Sequence, residues 1–114
     1  MIRKIFFYGD HFEKFYEQLN DKIRLKFDYV LNLIAHVELV PEKFLKHLEG
    51  TEGIYEIRVK ASRNIFRVFC FFDEDRLIIL LNAFQKKSQK TPKSEIFLAE
   101  KLRRQYLLEK LKGE

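Results

Sequence analysis

Residues 54–72 read IYEIRVKASRNIFRVFCFF, and after one more apolar strand residues 82–92 read NAFQKKSQKTP. Successive side chains of a strand alternate faces, so Tyr55, Ile57 and Val59 lie to one side while Glu56, Arg58 and Lys60 lie to the other. The connector Ala61-Ser62-Arg63-Asn64 is polar and of hairpin length. If the next strand pairs back along the first, Arg67 joins Arg58 on one face. Phe66, Val68, Cys70 and Phe72 then form the opposite, apolar face, and Phe69 and Phe71 share the parity of Arg67. A rigid surface bearing Glu56, Arg58, Lys60 and Arg67 suits a polyanion, because guanidinium and ammonium groups match phosphate in charge and hydrogen bonding.

The rest of the chain supplies what such a sheet packs against. Residues 2–8 form a short β-rich run ending at Gly9. Asp10 with Glu13 three residues on has capping-box spacing, and Phe12, Phe15, Tyr16 and Leu19 recur on one helical face. Asn20 and Asp21 break that helix and cap a second, with Ile23, Phe27, Val30, Leu31 and Ile34 at helical spacing until Pro41. A short strand is expected over residues 43–48, then strands over 54–60, 65–72 and 76–84. Thr91-Pro92 opens a terminal helix, Thr91 as cap and Pro92 as its first residue. The expected class is α+β: an antiparallel sheet with its helices, an N-terminal hairpin and a C-terminal helix, gathered on one face.

At 114 residues with 46% apolar content, the chain is expected to form a single domain, 1–114. The longest apolar run, LIILLNAF, is too short to cross a membrane, and MIRKIFFYGD lacks the features of a secretory signal. A cytoplasmic protein is expected, with no membrane partner. The single cysteine, Cys70, sits inside an apolar strand and reads as core. His11, His36 and His47 lack metal-ligand spacing, so no metal and no cofactor are expected; His47 alone lies near the sheet. Charge is uneven: residues 1–53 hold 8 Lys or Arg against 9 Asp or Glu, and residues 54–114 hold 14 against 8. The first half reads as scaffold and the second as the binding half, for a nucleic acid or an acidic protein.

The element order, the strand pair GIYEIRVKASRNIFRVFCFF, the segment LLNAFQKKSQKTP and a terminal helix containing Glu95 resemble the RelE/ParE toxin superfamily, and within it the phage-derived, HigB-type branch. The resemblance spans nearly the whole chain and is most specific in FQKKSQKTP. It implies a RelE-like domain acting as the toxin of a type II toxin–antitoxin pair. Such a toxin is a ribosome-dependent endoribonuclease that cleaves mRNA, without a metal, and is neutralised by a helix-turn-helix antitoxin. The ParE side of the superfamily inhibits DNA gyrase through protein binding, and a non-catalytic RNA-binding domain is a third reading. Fold does not separate these outcomes.

For RNA cleavage the protein must take a proton from the ribose 2′-hydroxyl, stabilise charge on phosphorus-bound oxygens and assist the leaving oxygen. The resemblance puts Arg67 where RelE-type ribonucleases carry a catalytic arginine and Arg58 where they carry a basic strand residue. Lys86 shares strand parity with Asn82 and Phe84, and reads as electrostatic stabiliser or proton donor. Lys60, Arg63, Lys87 and Lys90 are expected RNA contacts, the last two beside the start of the terminal helix. Glu56 is the only carboxylate on the face; it is either the base or the partner that orients Arg58, since a carboxylate among cations is a poor proton acceptor, and Lys60 is a further candidate for the base, since a lysine crowded by like charges loses its proton more readily. If Arg67 is buried in an ion pair with Glu56, the enzyme reading loses most of its support. Some RelE-type enzymes carry a tyrosine or histidine near the end of the site, and SQKTPKSEIF offers neither.

Overall fold

The computed structural model describes residues 1–113. The elements run β1 (Lys4–Phe7), α1 (His11–Glu17), α2 (Asp21–His36), β2 (Leu45–His47), β3 (Tyr55–Ala61), β4 (Asn64–Phe72), β5 (Leu77–Lys86) and α3 (Lys93–Lys112). They form the expected α+β domain around one five-stranded sheet, ordered β1-β5-β4-β3-β2. Pairing is antiparallel except at β1, which lies parallel to β5 with Ile5 beside Ile78 and Phe7 beside Leu80. The sheet is therefore mixed, where a purely antiparallel one was expected. The two helices that intervene after β1 allow it to return beside a distant strand in the same direction.

Helices cover both faces of the sheet, which corrects the expectation of one covered face. On one side Phe12, Phe27, Val30 and Ile34 of α1 and α2 pack on Ile57, Val59, Phe66, Val68, Cys70 and Leu80. On the other, Ala99 and Leu102 of α3 pack on Phe69, Phe71, Ile79 and Leu81. The reason is legible in β4 and β5: Val68 to Phe72 and Leu77 to Leu81 are unbroken apolar runs, the signature of strands buried on both faces. Cys70 is fully buried, and burial pushes its thiol far above the usual range, as befits a core residue.

Two of the expected helix caps take another form. Asp10 precedes α1 but makes no side-chain capping bond; its carboxylate instead pairs with Lys14 at 3.1 Å. Asn20 does cap α2, accepting from the Ile23 N–H at 2.9 Å. At α3 the cap position is held by Pro92 in extended geometry, and the helix begins at Lys93, so Thr91 lies outside it.

One irregularity in β5 positions the site. Cys70 pairs with Leu80 and Phe69 with Asn82, which leaves Leu81 as a bulge. Leu81 and Asn82 thus both turn toward α3, where Asn82 donates to the Glu95 side chain at 3.0 Å and to its carbonyl at 3.1 Å. Below the bulge, Phe84 lies opposite Arg67 and Lys86 opposite Ile65. With regular pairing, Asn82, Phe84 and Lys86 would instead face α1 and α2.

The far end of α3 is fastened to the β4–β5 turn through Asp73. Its carboxylate accepts from the Tyr106 hydroxyl at 2.6 Å and from Lys110 Nζ at 2.8 and 3.0 Å. The Lys110 ammonium and the tyrosine hydroxyl hold Asp73 below the usual carboxylate range. The stabilisation from this shift is complete above a pH of about 4 and is lost as pH falls through the lower folded value. Asp73→Asn is expected to lower the melting temperature at neutral pH, with the gap to wild type closing in acid. Thermal melts monitored by circular dichroism across that range test this; a gap independent of pH would contradict it.

Candidate anion-binding site

The site begins with a conflict built into the hairpin. Strands β3 and β4 are joined by the two-residue turn Ser62-Arg63, in which Ser62 adopts a left-handed φ of 58°. The resulting register sets Arg58 directly opposite Arg67. Like charges facing each other across a strand pair repel, and Glu56, two residues before Arg58 and on the same face, relieves that repulsion. Glu56 Oε1 accepts from Arg58 Nε at 2.9 Å and lies 2.8 Å from its Nη2, while Glu56 Oε2 stands 3.6 Å from Arg67 Nε.

The three groups are unequally exposed. Glu56 and Arg67 are 5% and 9% exposed, whereas Arg58 is half-buried and reaches solvent. Arg67 Nη1 donates to the Phe66 carbonyl at 3.2 Å, and its Nε is buried without a hydrogen-bond partner. Burial lowers the pKa of Arg67, the Glu56 charge opposes that shift, and Arg58 adds to it. Two cations against one anion leave the cluster one positive charge in excess, with a donor nitrogen unsatisfied. Such a cluster favours an added anion.

Arg67 stands where two open grooves meet. One, of ≈ 650 Å³, is lined by Arg58, Lys60, Lys26, Lys43 and the side chains of Tyr29 and Phe44. The other, of ≈ 470 Å³, is lined by Lys86, Lys87, Ser88 and Gln89. Both include Ile65 and Arg67. The structure thus brings together Glu56, Arg58, Arg67 and Lys86, with Lys60 and Lys87 on the flanks. Arg63 and Lys90 are exposed and line neither groove.

Other aromatic and imidazole side chains near the sheet are engaged elsewhere. Phe69 and Phe71, which share the parity of Arg67, are closed over by α3, and burial already contributes about 1.5–3 kcal/mol for each ring. They are core residues and do not stack on bases. His47 packs edge-on against Tyr55, with ring centroids 5.1 Å apart, outside both grooves. Tyr106 is occupied with Asp73. Conversely, Lys26, Tyr29 and Lys43 come from the half of the chain that charge counting marks as scaffold. A signal for the first two was present in α2, where Lys26 and Tyr29 stand three residues apart on one stripe, each just before a buried position, Phe27 and Val30.

The fold and the site together define a small basic α+β domain whose sheet carries a largely buried arginine where two basic grooves meet. The chain belongs to the phage-derived protein Gp49-like family (DUF891), whose model matches residues 14–104. That family includes RelE-like toxins of toxin–antitoxin systems. Comparison with curated proteins found no match.

Removing the central carboxylate charge while keeping its shape isolates what Glu56 does. Glu56→Gln is expected to destabilise the fold by about 3 kcal/mol, because it leaves Arg67 buried without a counter-charge. Urea denaturation measures this, and a loss below about 1 kcal/mol, the scale of an exposed ion pair, would show that the two arginines do not depend on Glu56.

Proposed function

We propose that this protein is the toxin of a type II toxin–antitoxin pair and acts as a ribosome-dependent mRNA endoribonuclease of the RelE type, on the HigB-like side. The observation that carries this reading is the gathering of Arg58, Arg67 and Lys86 along two basic grooves that meet at Arg67; the burial of Arg67 with Glu56 3.6 Å from its Nε counts against it. Membership of a family that includes RelE-like toxins supports it.

In this reading an RNA phosphate lies over Arg67. The ribose 2′-hydroxyl gives its proton to solvent water as its oxygen attacks the adjacent phosphorus, the bond to the 5′-oxygen breaks and that oxygen takes up a proton, and the products are a cyclic phosphate and a 5′-hydroxyl end. Arg67 and Arg58 stabilise the charge gathering on the non-bridging oxygens, where preorganised donors act most strongly. Lys86, across the junction, serves the departing 5′-oxygen as charge stabiliser or proton donor. Glu56 acts as a positioning residue, since its oxygens are engaged with Arg58 and face Arg67. Lys60 and Lys87 hold the strand on either side. A helix-turn-helix antitoxin neutralises the toxin by covering this basic surface or the exposed apolar positions Leu108 and Leu111 of α3.

One observation favours a second reading. Because Glu56 is occupied by the arginines, the cluster carries no free carboxylate to act as base, and a ParE-like toxin that docks on a protein target through the same basic face needs none. Mapping mRNA 5′ ends in reconstituted translation, with and without ribosomes, separates the two. Ribosome-dependent cuts are expected for wild type and are expected to fall at least a hundredfold in Arg67→Ala, the scale of losing one oxyanion donor. Growth arrest with no cuts would move the activity to a protein target such as gyrase.

A further inference from the structure

The basic surface does not end at Arg67. The larger groove continues over the edge of β3 into a third, of ≈ 330 Å³, which shares Lys26, Lys60 and Ser62 with it and adds Lys22 near the start of α2. Across the three grooves eight Lys or Arg side chains and no Asp or Glu form the lining among the described residues. The chain as a whole holds 22 cations and 17 anions, so this is a strong segregation. By contrast, a groove beside α1 is lined by Glu13, Glu17 and Asp28 with no cation among the described residues. An RNA strand leaving Arg67 is drawn to one side of the molecule and repelled from the other.

The track crosses from one sheet face to the other because β2 is short. It pairs with β3 only at Tyr55 to Ile57, and the last edge bond is from the Arg58 N–H to the Phe44 carbonyl at 2.8 Å. By strand alternation the Lys60 N–H points outward from the same edge, past the end of β2, on the side of the groove that Lys60 lines. The walls also carry what a single strand needs and a duplex does not use. Tyr29 is 57% exposed with Lys26 Nζ 5.7 Å from its ring centroid, and Lys43 Nζ lies 5.0 Å from that of Phe44. Aromatic faces interleaved with cations bind unpaired bases by stacking and backbone by charge.

We propose that this extension is a second RNA subsite, which holds the single strand flanking the phosphate at Arg67. Lys22, Lys26 and Lys60 take successive phosphates, and one base stacks on Tyr29. The inference rests on the reading of Arg67 as a phosphate site, and its test separates the two. Fluorescence anisotropy with uncleavable 2′-O-methyl RNA, as a dinucleotide and as an octanucleotide, measures binding without requiring cleavage. Wild type is expected to bind the octanucleotide more tightly. Lys22→Glu with Lys26→Glu is expected to weaken octanucleotide binding at least tenfold and reduce its salt slope by about 1.4, at about 0.7 per phosphate contact on a single strand. Tyr29→Ala is expected to lose about tenfold on the octanucleotide, with Tyr29→Phe retaining it. Both changes are expected to weaken octanucleotide binding more than dinucleotide binding.

All three positions are exposed, so unchanged melting temperatures certify the fold of the variants. Octanucleotide affinity that is unchanged by the α2 variants overturns the subsite, as does equal wild-type affinity for the two lengths, the result expected if an acidic protein is the true occupant. Dinucleotide affinity unchanged in Arg67→Ala instead overturns the phosphate site at Arg67.

Discussion

The placement of one guanidinium at a largely buried position of the sheet constrains everything around it. Arg67 sits on β4, whose neighbours Phe66 and Val68 are core residues, and it faces Arg58 across the hairpin. Desolvation and like charge both oppose that arrangement, and Glu56 is the counter-charge that holds it. A well-packed apolar residue at position 67 would give a more stable sheet. A local rule broken at the centre of an otherwise regular fold is the pattern of a site kept for what it binds.

Much of this fold is legible in the sequence because its signals are local. Alternation in residues 54–72 gives the hairpin and the shared face of Arg58 and Arg67, and Asn20 marks its helix start. What is not legible depends on pairing between distant segments. Nothing local in Lys4–Phe7 specifies a parallel partner, and α3 packs on the face that alternation marks as charged. Parity groups Phe69 and Phe71 with Arg67, yet only the tertiary packing shows that α3 covers the upper part of that face and leaves the lower part open. Lys26, Tyr29 and Lys43 escape notice for the same reason: charge summed by half-chain does not see that α2 and the approach to β2 close around the end of β3.

The molecule divides its labour by surface. Carboxylates gather beside α1, cations gather from Lys87 across Arg67 to Lys22, and the Asp73 network fastens the far end of α3 away from both. The reading as an RNA-cleaving toxin draws on the middle of this arrangement, while the stability of the fold draws on the two apolar layers and on Asp73. Changes to binding and changes to folding therefore fall on largely separate residues, with Glu56 the residue that belongs to both.

The bulge at Leu81 gives β5 two phases, like two rulers joined with their zeros offset. Above the joint the strand is measured against the helices, and below it against the arginines. The single extra residue absorbs the mismatch, so the upper half can be repacked without turning Lys86 away from Arg67. Position-by-position comparison of this strand across relatives is meaningful only within one phase. A gap of one residue at the joint would be silent for the lower half, and the same gap two positions further on would exchange its inward and outward side chains.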